Sequence, residues 1–145
     1  MTPIVPSGQG HLLTARGNVL AFKAVAAQTG GDFSLMERTV PPGARTPPAH
    51  RHVNCSEAFF VLSGVITFVL DEAVVSGGAG DFLLVPRGAA HTFGNRGSEP
   101  ARLLVLHAPA MDAYFEELAL LWSGEAPPTL EAERELMSRY GMEPA

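Results

Sequence analysis

From residue 33 to 107 the chain is a succession of short apolar segments, rich in β-branched and aromatic side chains, each closed by a turn signal. The segments fall at 33–40, 57–62, 65–70, 73–75, 81–85, 91–93 and 101–107, with one more at 19–26. Between them stand Gly30-Gly31-Asp32, Pro41-Pro42-Gly43, Ser63-Gly64, Ser76-Gly77-Gly78, Pro86-Arg87-Gly88 and Asn95-Arg96-Gly97-Ser98. Glycine opens positive φ and proline presets φ near −65°, so these clusters reverse the chain. Short strands at such close spacing point to an all-β sandwich or barrel. The 57–62 and 65–70 segments, joined by Ser63-Gly64, read as a hairpin. Both of its faces are apolar, which implies cover on both sides, by an opposing sheet and by helices or a second subunit.

The period changes after Pro109. Met111, Tyr114, Phe115, Leu118 and Trp122 fall at helical spacing, with Asp112, Glu116 and Glu117 on the other side, and Ser123-Gly124 ends the run. A second helix is expected after Pro127-Pro128, capped by Thr129, packed through Leu130, Met137 and Tyr140, laced by Glu135 and Arg139, and stopped by Gly141. Strands followed by terminal helices, without alternation, disfavour a parallel α/β fold. We therefore read one domain in three parts: an arm and first strands at 1–32, a barrel core at 33–108, and a helical segment at 109–145. Residues 1–10 form an irregular arm that joins a sheet near 11–14. The aromatics Phe33, Phe59, Phe60, Phe68, Phe82 and Phe93 read as core. Parity with Glu57 and His91 makes Phe59 and Phe93 candidates for a pocket wall.

At 145 residues such a chain can bury about 68–70% of its unfolded surface without staples. A net charge of −5 and the absence of any Lys/Arg run argue against nucleic acid as a partner. Cys55 is the single cysteine, so no internal disulfide is expected. No stretch nears 18 uninterrupted apolar residues, and residues 1–10 carry no leader pattern. The expectation is a soluble cytoplasmic protein without a membrane partner.

The chemistry gathers in His50-Arg51-His52-Val53-Asn54-Cys55-Ser56-Glu57. In a strand, residues two apart share a face, so His50 and His52 can point inward together while Arg51 points away. Glu57 has the wrong parity to continue that face, so the chain must bend between Val53 and Ser56. With His91, these side chains make a nitrogen and oxygen site suited to one divalent transition metal: iron, manganese, nickel, copper, cobalt or zinc. A structural zinc site more typically recruits thiolates and closes; a mixed site leaves positions open for water or substrate. Glu57 could alternate between ligand and proton acceptor. His11 and His107 read as packed or surface residues, and Cys55 as an inert thiol. A nucleophile elbow, a Walker loop and a His-Glu-x-x-His helix are all missing from the sequence.

These residues resemble the two sequence motifs of the cupins. Gly43, His50, His52, Glu57 and Gly64 are similar to the first motif, with six residues between Gly43 and His50 where five are usual. Gly80, Pro86, Gly88, His91 and Asn95 match the second, Gly-x5-Pro-x-Gly-x2-His-x3-Asn, position by position. The resemblance implies a double-stranded β-helix, a small jelly-roll barrel, with two C-terminal α-helices, and His50, His52, Glu57 and His91 as metal ligands. The text around Asp81-Phe82 and Arg139-Tyr140-Gly141-Met142-Glu143 is similar to small single-domain cupins of quercetin dioxygenase type. For that group the implication is a dioxygenase that uses a metal and dioxygen on an aromatic or enol-bearing ring, with Glu57 as catalytic base, in a homodimer. The same barrel also hosts isomerases and non-catalytic binders of small molecules, so both remain as alternatives.

Overall fold

The computed structural model describes residues 4–145. Of the expected arm, residues 1–3 lie outside the described residues. Residues 4–10 form no strand and are tied down by Lys23, whose ammonium donates to the carbonyls of Pro6 at 2.7 Å and Gln9 at 2.6 Å. The elements then follow as β1 (His11–Ala15), β2 (Asn18–Ala24), a one-turn α1 (Ala26–Thr29), β3 (Ser34–Val40), β4 (His50–His52), β5 (Ser56–Ser63) and β6 (Ile66–Leu70). After these come β7 (Ala73–Gly77), β8 (Phe82–Val85), β9 (His91–Gly94), β10 (Ala101–Ala108), α2 (Asp112–Leu121), α3 (Leu130–Arg139) and β11 (Met142–Pro144).

The strands form two antiparallel sheets, one ordered β1-β2-β3-β10-β5-β8 and the other β11-β4-β9-β6-β7. They are the two layers of the expected jelly-roll barrel, with the two expected helices after it. Alternation does the sorting: along β10, Ala101, Leu103, Val105 and His107 are buried and the residues between them are not. Between the layers Phe59, Phe68 and Phe93 cluster with ring centroids 5.1 to 6.2 Å apart, in the range of favourable aromatic pairs. At one end of the barrel Tyr114, Phe115 and Leu118 of α2 and Leu136 and Met137 of α3 are buried. Thr129 caps α3 as expected, its hydroxyl accepting from the Ala132 amide at 3.1 Å.

Several expectations are corrected. Residues 57–62 and 65–70 are strands but not a hairpin, because β5 pairs with β10 and β8 while β6 pairs with β7 and β9. Ser63-Gly64 is a corner where the chain passes from one sheet to the other. Phe33, Phe60 and Phe82 are not core. Phe60 and Phe82 are register partners on the outer face of their sheet, 39% and 64% exposed. In α3, Leu130 is exposed and Leu136 packs inside, and Arg139 reaches Glu117 of α2 at 3.1 Å. Gly141, at φ +76°, follows the end of α3 as expected, and β11 then adds to β4, with Met142 opposite His52.

Candidate metal centre

Two cross-strand pairs, one from each sheet, build the site. In one sheet His50 of β4 lies directly opposite His91 of β9. In the other, Glu57 of β5 lies opposite His107 of β10. His52, two residues along β4 from His50, completes the group, and all five side chains are buried. The expected bend falls at residues 53–55, where β4 of one sheet gives way to β5 of the other. That change of sheet turns the odd parity of Glu57 into an inward direction.

Ring centroids are 4.4 Å apart for His50 and His91, 5.0 Å for His50 and His52, and 5.3 Å for His52 and His91. Ligand atoms of His50, His52 and His91 lie within 4.8 Å of one another, and so do those of His52, Glu57 and His107. Glu57 connects the two sets. Its Oε2 is 3.1 Å from His52 Nε2 and in contact with His107 Nε2, and its Oε1 is 3.3 Å from His91 Nε2.

The backbone orients two of the rings. His50 Nδ1 donates to the Pro48 carbonyl at 2.7 Å and His91 Nδ1 to the Ala89 carbonyl at 3.0 Å. In the neutral ring this leaves Nε2 with its lone pair facing the cavity, the pattern of metal-binding histidines whose other nitrogen is held from behind. Among the described residues, the buried His91 Nε2 and His52 Nδ1 have no hydrogen-bond partner. Buried nitrogens of this kind are costly unless something satisfies them. Together with the carboxylate they fit a divalent cation.

Electrostatics keeps His50 neutral and Glu57 ionised. Burial, followed by the neighbouring His91, pushes the His50 pKa down to about 3, so the ring is neutral at ordinary pH. Burial raises the Glu57 pKa, but the charge and hydrogen bond of His107, with His52 and His91 close by, outweigh it and hold the carboxyl well below its usual range. At His91 burial is likewise outweighed by Glu57, and its pKa is raised.

Sequence reasoning missed His107 as a member of this site. The signal was available in the parity of 101, 103, 105 and 107, which continues an apolar inward row to a histidine. His11 is on the surface, paired with Glu116. Cys55 is buried beside the site, but its thiol points to the carbonyls of Ser56 and Pro109. Burial and then the Glu57 charge push its pKa up to about 11. Phe93 lines the same cavity as the histidines, whereas Phe59 faces a separate cavity of about 210 Å³ beside β7 and β8. Met111, Tyr114, Phe115 and Met137 line the histidine cavity from the helical side.

The cupin domain family matches residues 36–107, the span that holds every residue of the cluster. The chain belongs to the cupin superfamily. This cupin is 29% identical over 90 residues to quercetin 2,3-dioxygenase of Bacillus subtilis (strain 168), which covers 62% of the chain. It spans about a quarter of the length of that relative (26%). Among solved structures it superposes on KdgF from Halomonas sp. with a TM-score of 0.66 at 15% identity, covering 78% of this chain and 98% of that one. On the polyketide cyclase RemF from Streptomyces resistomycificus the TM-score is 0.64 at 23% identity, covering 74% and 80%. These two likenesses show the fold. Among the described residues no helix is long and apolar enough to cross a membrane.

Proposed function

We propose that this cupin binds one divalent transition metal ion through His50, His52, Glu57 and His91 and acts as a metal-dependent dioxygenase on a small aromatic or enol-type substrate. The observation that carries the reading is the convergence of three buried imidazoles, two with their Nδ1 atoms committed to backbone carbonyls, on Glu57, the one carboxylate that lines the cavity among the described residues. The likeness to quercetin 2,3-dioxygenase supports the reaction class.

A bound divalent ion would supply Lewis acidity toward substrate oxygens and a meeting point for dioxygen. The chain's own residues do the rest. Glu57, kept ionised by its imidazole neighbours, is the base that takes a proton from an enol hydroxyl. His107, in contact with Glu57 Oε2, fixes the direction of that carboxylate. Met111, Tyr114, Phe115 and Met137 exclude bulk water. The expected homodimer finds support in the outward-facing apolar group Phe60, Phe82 and Leu84, which sedimentation velocity of wild type against Phe82→Lys tests.

The direct test is metal analysis of purified protein followed by an oxygen-electrode screen with flavonols, enediols and diketones. We expect about one ion per chain and metal-dependent oxygen uptake that disappears in His52→Ala and Glu57→Gln. Unchanged metal content in a His50/His52 double alanine variant sinks the ligand assignment. Metal-loaded protein that binds these compounds without oxygen uptake supports the non-catalytic binder instead.

A further inference from the structure

The cavity holds a charge that the reading above does not use. Arg38 of β3 is 3% exposed and lines the same cavity as His50, His52, Glu57 and His107. Its Nε donates to Asn18 Oδ1 at 3.0 Å, and its guanidinium carbon stands 4.9 Å from the centroid of the Phe93 ring. Its Nη2 is buried and, among the described residues, has no hydrogen-bond partner. A buried cation is tolerated when paired and hydrogen-bonded, and is costly otherwise.

The neighbouring carboxylates are committed elsewhere. Glu133 takes Arg16 Nε at 2.8 Å and Trp122 Nε1 at 2.9 Å, which leaves Arg16, the other buried arginine of the cavity, neutralised and also bonded to the Tyr114 hydroxyl. Glu57 faces His52, His91 and His107. Among the described residues, no carboxylate forms an ion pair with Arg38. Burial, and next the charge of Arg16, push the Arg38 pKa down to about 9, so it is still charged at neutral pH. A positive, unpartnered N–H facing a cavity of imidazoles is a built receptor for an anion.

We infer that this cavity takes its substrate as a carboxylate, with Arg38 Nη2 binding a carboxylate oxygen while a second substrate oxygen faces the imidazole cluster. An enolisable 2-oxo carboxylate combines both oxygens in the fewest atoms. The place of the second oxygen rests on the metal-binding reading above; the Arg38 contact does not. Arg38 is a binding and specificity residue, and its cation–π contact with Phe93 keeps the guanidinium aimed.

Pyruvate and its neutral methyl ester are the probes, titrated calorimetrically into the full chain with and without added metal. Wild type is expected to bind the acid at least tenfold more tightly than the ester. Arg38→Met weakens acid binding by roughly 10- to 100-fold, as for loss of a charge-assisted hydrogen bond, leaves ester binding unchanged, and leaves metal content per chain at the wild-type value. Arg38→Lys keeps part of the preference. The inference is overturned if wild type does not prefer the acid, or if Arg38→Met keeps wild-type affinity for it. Should Arg38→Met fail to fold, the acid and ester comparison in wild type and Arg38→Lys decides. The two readings fail separately: protein that takes up no metal yet prefers the acid through Arg38 removes the metal assignment alone, and metal-loaded protein indifferent to the acid removes this one alone.

Discussion

Glu57 is a single carboxylate answering three imidazoles, and His50, outside its contacts, is driven away from protonation by burial. The consequence for stability has a definite sign. The native His50 pKa, about 3, lies below its ordinary value of 6.5, so below pH 6.5 the unfolded chain binds a proton that the native chain refuses. Stability is therefore lost as the pH falls from 6.5 toward 3, by up to about 1.4 kcal/mol per pH unit. His91, whose pKa is raised, contributes in the opposite sense, present below 6.5 and lost as the pH rises through its native value. Comparison with His50→Gln isolates the first effect. In metal-free protein, urea midpoints between pH 6.5 and 4.5 should fall more steeply in wild type than in the variant, and equal slopes count against the assignment. Cys55 gives a second check at this scale. Burial and a pKa near 11 make it slow to alkylate with iodoacetamide at pH 8 in the native state and fast in urea; rapid native labelling contradicts its buried position.

Among the elements, the corner between β5 and β6 is the one the barrel depends on for its second layer. Gly64 has φ +75°, and a Cβ there would stand 2.7 Å from the Pro100 carbonyl oxygen and 2.8 Å from Ala101 Cα. Backbone crowds this position from the start of β10, so relief requires moving a strand. Gly64→Ala is expected to cost about 2 kcal/mol or more in urea unfolding. Gly78→Ala is the control: its site is open and its φ lies outside the left-handed region, so it stays within about 0.5 kcal/mol of wild type. If the two variants unfold alike, the corner is not crowded. At the other end of the chain, Thr129→Ala removes the cap of α3 and is expected to cost about 1 kcal/mol. Because α3 carries Met137 onto the cavity roof, the same variant should speed the exchange of metal with a chelator, whereas an unchanged rate separates α3 from access to the site.

For the whole molecule, the geometry of the site has a further effect. His50, His52 and His91 come from one sheet and Glu57 and His107 from the other, so anything that binds all of them fastens the two layers together. Ion binding to the native state alone stabilises by mass action, about 2.7 kcal/mol at a hundred times Kd, or on the order of 5–10 °C in a chain of this size. Chelator treatment should lower the melting temperature of wild type by that order and leave the His50/His52 double alanine variant unmoved. A chelator shift that persists in the double variant places the ion elsewhere.

Local chemistry wrote most of the barrel into the sequence. Strand periods, Gly and Pro turns, the change of period after Pro109, and the spacing of His50, His52, Glu57 and His91 are properties of neighbours along the chain, and each appears in the structure near its expected place. Alternation also divides every strand into two faces. It does not say which face is inside, because that depends on what packs against it. Phe60 and Phe82 are as apolar as Phe59, yet they face outward, since the opposing sheet covers only one side. The same ignorance hid His107, whose inward direction is set by pairing with Glu57 across β5 and β10, and it hid Arg38, which looks like an ordinary surface arginine in a strand. Ser63-Gly64 is equally ambiguous: a Ser-Gly step with positive φ at Gly64 can close a hairpin or turn a corner, and only the partners waiting for β5 and β6 decide. Neighbours along the chain were enough for the fold class, the family and a histidine and glutamate cluster that could hold a metal. Tertiary structure alone decided that a fourth imidazole and an unpaired guanidinium share the cavity, because burial and register are set by contacts between residues far apart in the chain.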